Sequence, residues 1–299
     1  MSHSTNNYYD SLFRVFILLL GFFSPFLLSA GIVVIDDSGQ PVKLKRPAQR
    51  IISLTPHITE LLFAAGAGSQ VVGVVDFSDY PEAAKTITRI GGHQSLDYEK
   101  MIALQPDLVI AWQSGSPAVM LGKLKKMGIP VFVTDAHSLD DIPDILNRIA
   151  ILAGTPIQAS QVAVSYERKL LALRQKYHGK KRIRVFYQIW QQPLMTINAS
   201  HLINQVLSLC GGVNIFSDMT MLSGTVGMED VLIRNPDVVL INANDGRFEH
   251  WSKEWLQWKQ LKAVQDKHVF QVNPDTMTRQ SPRILQGAEE VCAILDSMR

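Results

Sequence analysis

Two stretches of this 299-residue chain carry the same pattern: EKMIALQPDLVI over residues 99–110 and EDVLIRNPDVVL over 229–240. In each, a glutamate (Glu99, Glu229) opens a short helical segment and stands seven residues before a Pro-Asp pair. The Pro-Asp turn stops the helix and launches an apolar strand, so that part of the match is structural. Internal similarity of this kind predicts one unit built twice. Each glutamate has a plain role, because a carboxylate in a helix's first turn interacts well with the helix dipole. Equal charges at equivalent places in two lobes also suit a pair of exposed docking points.

Between the two copies lies IQASQVAVSYERKLLALRQKYH, residues 157–178, with no Gly or Pro and mostly good helix formers. Val162, Tyr166, Leu170, Leu173 and Tyr177 recur in steps of four and three, which places them on one helical face. Pro156 suits a first turn, and Gly179 is a natural stop beside Lys180, Lys181 and Arg182. A helix of roughly 22 residues is about 33 Å long, the width of a small domain. The segment reads as a stiff strut joining two lobes.

On both sides of the strut, short apolar runs alternate with helical ones, the mark of parallel α/β units. Before it come a hairpin over 32–45 turning at Ser38-Gly39 and strands at 50–54, 71–75, 108–112 and 131–134. Helices are expected from Thr59 and over 98–104, 118–127 and 141–152. After it come strands at 184–188, 238–241 and 269–272, with helices at 203–209, 228–233, 251–259 and 282–298. Trp251, Trp255 and Trp258 would share one face of the third of these helices, as core packing. The expected organisation is a leader over 1–30, a first α/β lobe over 31–140, connecting helices with the strut over 141–179, and a second lobe over 180–299.

Hydrophobic residues make up 46% and charged residues 19%, an ordinary globular balance, and a net charge of +2 argues against a nucleic-acid surface spread over the whole molecule. VFILLLGFFSPFLL, residues 15–28, followed by Ser29-Ala30-Gly31, has signal-peptide length and small residues for cleavage. It is short for a membrane span, although an uncleaved anchor is the alternative. Two cysteines, Cys210 and Cys292, suggest one disulfide in an exported protein, two buried free thiols being the other reading.

RIISLTPHITELLFAAG, VVGVVDFSDYP, the Glu-to-PDLVIAW segment, LCGGVNIF and SPRI, in this order from about Arg50 to the C-terminus, resemble the cobalamin, haem and ferric-siderophore substrate-binding proteins of bacterial ABC importers, most specifically the cobalamin carriers. The resemblance implies a helical-backbone binding protein, with two Rossmann-like lobes joined by one long rigid helix, over about 50–299. It implies a monomeric periplasmic carrier that is not an enzyme, takes cobalamin as cargo rather than cofactor, and delivers it to an ABC permease. Carried over, it assigns Glu99 and Glu229 to permease docking and pairs Cys210 with Cys292. It places Phe77 and the loop Asp275, Thr276, Met277, Thr278, Arg279 against the ligand. His93 stands where cobalamin carriers have a tryptophan, Thr276-Met277 replaces an aromatic pair, and Trp190 replaces a small residue, restoring aromatic surface.

A corrin is a broad apolar disc rimmed by amides, so it needs apolar and aromatic walls with a few polar groups. Phe77, Trp190, Met277 and Trp112 are walls by type; Asp275, Thr278 and Arg279 are rim partners. Phe77 and Trp190 follow strands, where cleft loops of open α/β sheets lie. His93 caps an amide, reaches a metal centre or merely fills its loop. Axial ligation in a haem carrier would draw on His93, Tyr80, Tyr98 or His57. An anionic siderophore wants several basic residues in the cleft; Arg279 is the plausible one, unless Arg247 or Lys253 turns inward, which favours a nearly neutral ligand. The chain has no G-x-S-x-G, H-E-x-x-H or Walker motif. The reading from another class, an interaction protein, predicts no small-molecule ligand.

Overall fold

A computed structural model describes residues 31–92, 95–244 and 246–299; the expected leader and His93 lie outside the described residues. A hairpin of β1 (Ile32–Ile35) and β2 (Pro41–Leu44) opens the chain. The first lobe is built on four parallel strands, β3 (Ile51–Ser53), β4 (Val71–Val74), β7 (Leu108–Trp112) and β8 (Val131–Thr134), in the order β4-β3-β7-β8. Its helices are α1 (Pro56–Ala64), α2 (Tyr98–Ala103), α3 (Ala118–Lys126) and α4 (Asp141–Ala153), with a small hairpin of β5 (Gly91–Gly92) and β6 (Ser95–Leu96). The strut is α5 (Pro156–Tyr177), 22 residues.

The second lobe repeats the plan with β9 (Ile183–Gln188), β11 (Gly212–Asn214), β13 (Val238–Asn242) and β14 (Val269–Val272), all parallel, in the order β11-β9-β13-β14. Strands β10 (Met195–Ile197) and β12 (Ser223–Thr225) pair beside it. Helices α6 (Leu202–Leu209), α7 (Met228–Arg234), α8 (Arg247–Trp255), α9 (Lys262–Gln265), α10 (Pro274–Met277) and α11 (Ile284–Asp296) complete it.

Strand side chains alternate faces with period two, and the buried residues sort accordingly. Ile51, Leu108, Ile110 and Phe132 from the first sheet, and Val185, Tyr187, Val238 and Leu240 from the second, belong to one continuous core that runs through α4, α5, α6 and α11. Their sequence neighbours Ile52, Val109, Ala111 and Val133 face a separate core under α2 and α3. Phe186, Val239 and Ile241 face a third, with Trp251 and Trp255. The strut therefore sits inside a core shared by both lobes. Its buried face is Ala159, Ala163, Tyr166, Leu170, Leu173 and Tyr177. Val162, expected on that face, is only partly buried, because the small Ala159 and Ala163 take the positions of closest approach. The Tyr166 hydroxyl donates to the Leu139 carbonyl at 2.8 Å, tying strut to first lobe.

The repeat is visible atom by atom. Strands β7 and β13 hold the same place in their sheets. The Asp107 carboxylate accepts from the Arg50 backbone N–H at 2.9 Å, and the Asp237 carboxylate from that of Arg184 at 2.9 Å. The residue before each Pro-Asp pair takes the left-handed backbone conformation, Gln105 at φ 46° and Asn235 at φ 39°. The aspartates thus lock each β7-type strand to its neighbour, a role that leaves the glutamates unused.

Three details differ from the sequence reading. Helix α1 starts at Pro56 rather than Thr59, since the Thr55 hydroxyl caps the Ile58 N–H. Helix α8 starts earlier and ends at Trp255, so Trp258 lies on the following turn while still packing on the same core. Strand β11 and the β10–β12 pair were not anticipated. Cys210 and Cys292 are fully buried and joined, which removes the free-thiol alternative.

Candidate functional site

In open parallel sheets, ligand sites form at the carboxyl ends of the strands. Several of the residues singled out above sit there: His57 after β3, Phe77 after β4, Trp190 after β9 and residues 275–279 after β14, with Thr55 and Asp135 beside them after β3 and β8.

Phe77 is 81% exposed and has φ 63°, a conformation rare for a bulky side chain. Strain of this kind persists only where surroundings enforce it, and it clusters at functional sites. Here the Arg89 guanidinium enforces it, donating to the carbonyls of Val75 (3.0 Å) and Ser78 (2.8 Å) on either side. An apolar ring is thereby held out in solvent. Trp190 is also exposed; its indole N–H donates to the Gln192 carbonyl at 3.0 Å, and its ring meets Trp251 edge-on at 5.8 Å. Arg247 stacks over Trp251 on α8 and bonds to Asn244, so it is occupied behind the aromatic pair.

The loop after β14 behaves differently from expectation. Met277 is fully buried in the shared core against α11, and Thr276 is buried with its hydroxyl on the Asn273 carbonyl. The α10 turn points both inward, so the wall expected at Met277 and the ligand contact expected at Thr276 have no exposed face here. Asp275 is half-exposed and Thr278 exposed. Arg279 is nearly buried, at the centre of a charge cluster joining the lobes.

That cluster is the feature the sequence reading missed. Glu60, on the buried face of α1, accepts from Arg279 Nη1 (3.1 Å), Arg283 Nη1 (2.7 Å) and the Ser281 hydroxyl (2.5 Å). Arg279 Nη2 donates to Asp79 (3.0 Å) and Asp275 (2.7 Å), and the Arg283 guanidinium lies 3.7 Å over the Tyr80 ring. Burial pushes the Glu60 carboxyl above its ordinary value, with Ser281 and the two guanidiniums working against that push. The signal available in the sequence was an acid inside the apolar run ITELLFAA, with Arg279 and Arg283 four residues apart to answer it. The cluster brings the Phe77 loop, through Asp79 and Tyr80, against residues 275–283. Gln280 adds a second link, accepting from the Ala136 N–H at 3.2 Å.

His57 is buried beneath this junction, edge-on to Trp112 at 5.3 Å and hydrogen-bonded to Thr55. Burial, and secondarily the Arg279 charge, lowers its pKa to about 3, so the ring is neutral at physiological pH. The Trp112 indole N–H donates to Asp135 at 2.7 Å. Larger hollows of about 630 and 700 Å³ lie at the two ends of the strut, around Tyr177 and around Ile157, away from the strand ends. Glu99 and Glu229 are exposed on α2 and α7, and among the described residues neither makes an ion pair.

The comparisons with known proteins agree with this architecture. A curated relative from Vibrio cholerae, named vitamin B12-binding protein, is 37% identical over 250 residues, covering 83% of this chain and 90% of the relative. One of the same name from Yersinia pestis is 37% identical over 251 residues, covering 84% and 88%. The crystal structure of the periplasmic vitamin B12-binding protein of Vibrio cholerae superposes with a TM-score of 0.78, covering 84% of this chain and 98% of that one. A periplasmic haem-binding protein from Roseiflexus, 23% identical, shares the fold with a TM-score of 0.76, covering 84% and 100%. Residues 51–276 match the family described as periplasmic binding protein, and with two parallel α/β lobes on one strut helix this chain belongs to that family.

Proposed function

We propose that this chain is an exported periplasmic carrier that captures cobalamin, or a related corrinoid, between its two lobes and hands it to an ABC permease. Binding and release, without catalysis, is the mechanism. The observation that carries the reading is Phe77, an aromatic ring held exposed at a strand end against its own backbone preference, in a chain 37% identical to proteins named for vitamin B12. Phe77 and Trp190 supply apolar faces for the macrocycle; Asp275, Thr278 and the remaining N–H groups of Arg279 serve its amide rim. His93 belongs to the same site by its place in the sequence. The lobes span about 31–140 and 180–299, with 141–179 as the connection, and the carrier works as a monomer.

Docking rests on Glu99 and Glu229. What supports it is their equivalence: each precedes the corresponding strand of its sheet, each is exposed, and the structural part of the repeat is accounted for by the aspartates. Basic residues of the permease are the complementary partners.

Phe77→Ala and Trp190→Ala test the ligand face. Each should weaken cyanocobalamin binding by about tenfold or more, the scale of a lost aromatic anchor, with little change in unfolding midpoint for Phe77→Ala because the ring is exposed. Unchanged affinity in both variants would remove the corrinoid from this cleft.

A further inference from the structure

Arg279 has the chemistry to receive an anion, yet three of its five guanidinium N–H groups already donate to carboxylates. Nη1 donates to Glu60 and Nη2 to both Asp79 and Asp275, and the side chain is only 10% exposed. With Arg283 donating to the same Glu60 oxygen as Arg279, two guanidiniums face three carboxylates. His57 beside them carries no charge. A ligand carboxylate taking one of the remaining N–H groups sits among three like charges. An amide carbonyl needs only a free N–H.

Resting on the carrier reading, we propose that Glu60 and Asp79 are specificity-determining residues. Both come from the first lobe, and both neutralise the Arg279 of the second. The cleft therefore accepts a macrocycle rimmed by uncharged amides and rejects the same macrocycle, or a porphyrin, rimmed by carboxylates. Discrimination here comes from an unfavourable charge built against the competitor as much as from contacts made to the ligand. The two carboxylates act through Arg279 and are positioning residues. Asp79 is half-exposed, so its substitution leaves the fold intact; Glu60, nearly fully buried, is replaced by its isostere.

The test uses two probes that differ by one charge: cyanocobalamin, and cyanocobalamin monocarboxylic acid, in which one peripheral amide is hydrolysed. Calorimetric titration of the full chain with both gives an amide-over-acid affinity ratio, which a uniform loss of folding or of cleft shape does not move. In Glu60→Gln/Asp79→Asn this ratio should fall by about tenfold, the scale of one or two unit charges at a partly screened site. Asp79→Asn alone should lower it by about threefold, which keeps the test valid if the double variant fails to fold. Adding Arg279→Gln should abolish the change. A ratio within about twofold of wild type in the folded variants would overturn the inference while leaving the carrier reading standing. Wild-type protein that binds neither probe would overturn both.

Discussion

The disulfide offers the most quantitative test of how this fold is held together. Cys210 ends α6 and Cys292 lies in α11, 82 positions further along the sequence, and both sulfurs are fully buried. Closing a loop of that length lowers the entropy of the unfolded chain by an amount worth about 4.5 kcal/mol at 25 °C. The native environment changes little on reduction, since two thiols occupy nearly the same buried space. Cys210→Ala/Cys292→Ala, or reduced wild type, should therefore lose about 4 kcal/mol in urea unfolding. With a denaturant slope of about 3 kcal/mol/M the midpoint falls by about 1.3 M, and the slope itself rises as the unfolded chain expands. Four of the five tryptophans, Trp190, Trp251, Trp255 and Trp258, lie in the second lobe, so their fluorescence reports that lobe while far-UV circular dichroism reports the whole. Because one core runs through both sheets and the strut, the two signals should stay coincident. A loss under about 1 kcal/mol would refute the loop argument. Separate transitions for the two probes would refute the shared core.

Other expectations follow from the same contacts. His57 and His201 have pKa values lowered by burial to about 3 and about 4, against an ordinary 6.5. The unfolded chain takes up protons near pH 6.5 that the fold refuses, so their contribution is full above that pH and drains as pH falls toward 4, by about 1.4 kcal/mol per pH unit for each group. His57→Gln should reduce that slope measurably between pH 6.5 and 4, and an unchanged slope would contradict it. Glu99→Ala/Glu229→Ala should abolish transport with cyanocobalamin affinity intact; lost affinity would move both residues into the cleft. Structures with and without ligand should differ by a small lobe rotation, since the strut is embedded in the common core and Glu60–Arg279 bridges the lobes. A rotation of tens of degrees would contradict that.

The sequence was most legible where periodicity and punctuation are strong. The strut to within a residue, seven of the eight parallel strands and the Pro-Asp repeat are legible, because helix and strand spacing report which face is buried. Ala159 and Ala163 escaped notice on the strut because small residues carry little hydrophobic signal while allowing the closest packing. Strand β11 is three residues long and an edge, too short for alternation to register. At the strand ends, the exposed positions of Phe77 and Trp190 follow from their place after strands, which is a property of chain order. The burial of Met277 and of Glu60 was not legible, because each depends on a distant partner, Gly287 of α11 for one and Arg279 with Arg283 for the other. Long-range pairs of that kind leave no local pattern.

Calorimetric titration of the full-length mature protein with cyanocobalamin, and with haemin in parallel, tests the central claim most directly. One-to-one cyanocobalamin binding, micromolar or tighter, with haemin weak, is the predicted result. Haemin binding with an axial-ligand spectrum and no response to cyanocobalamin would contradict it.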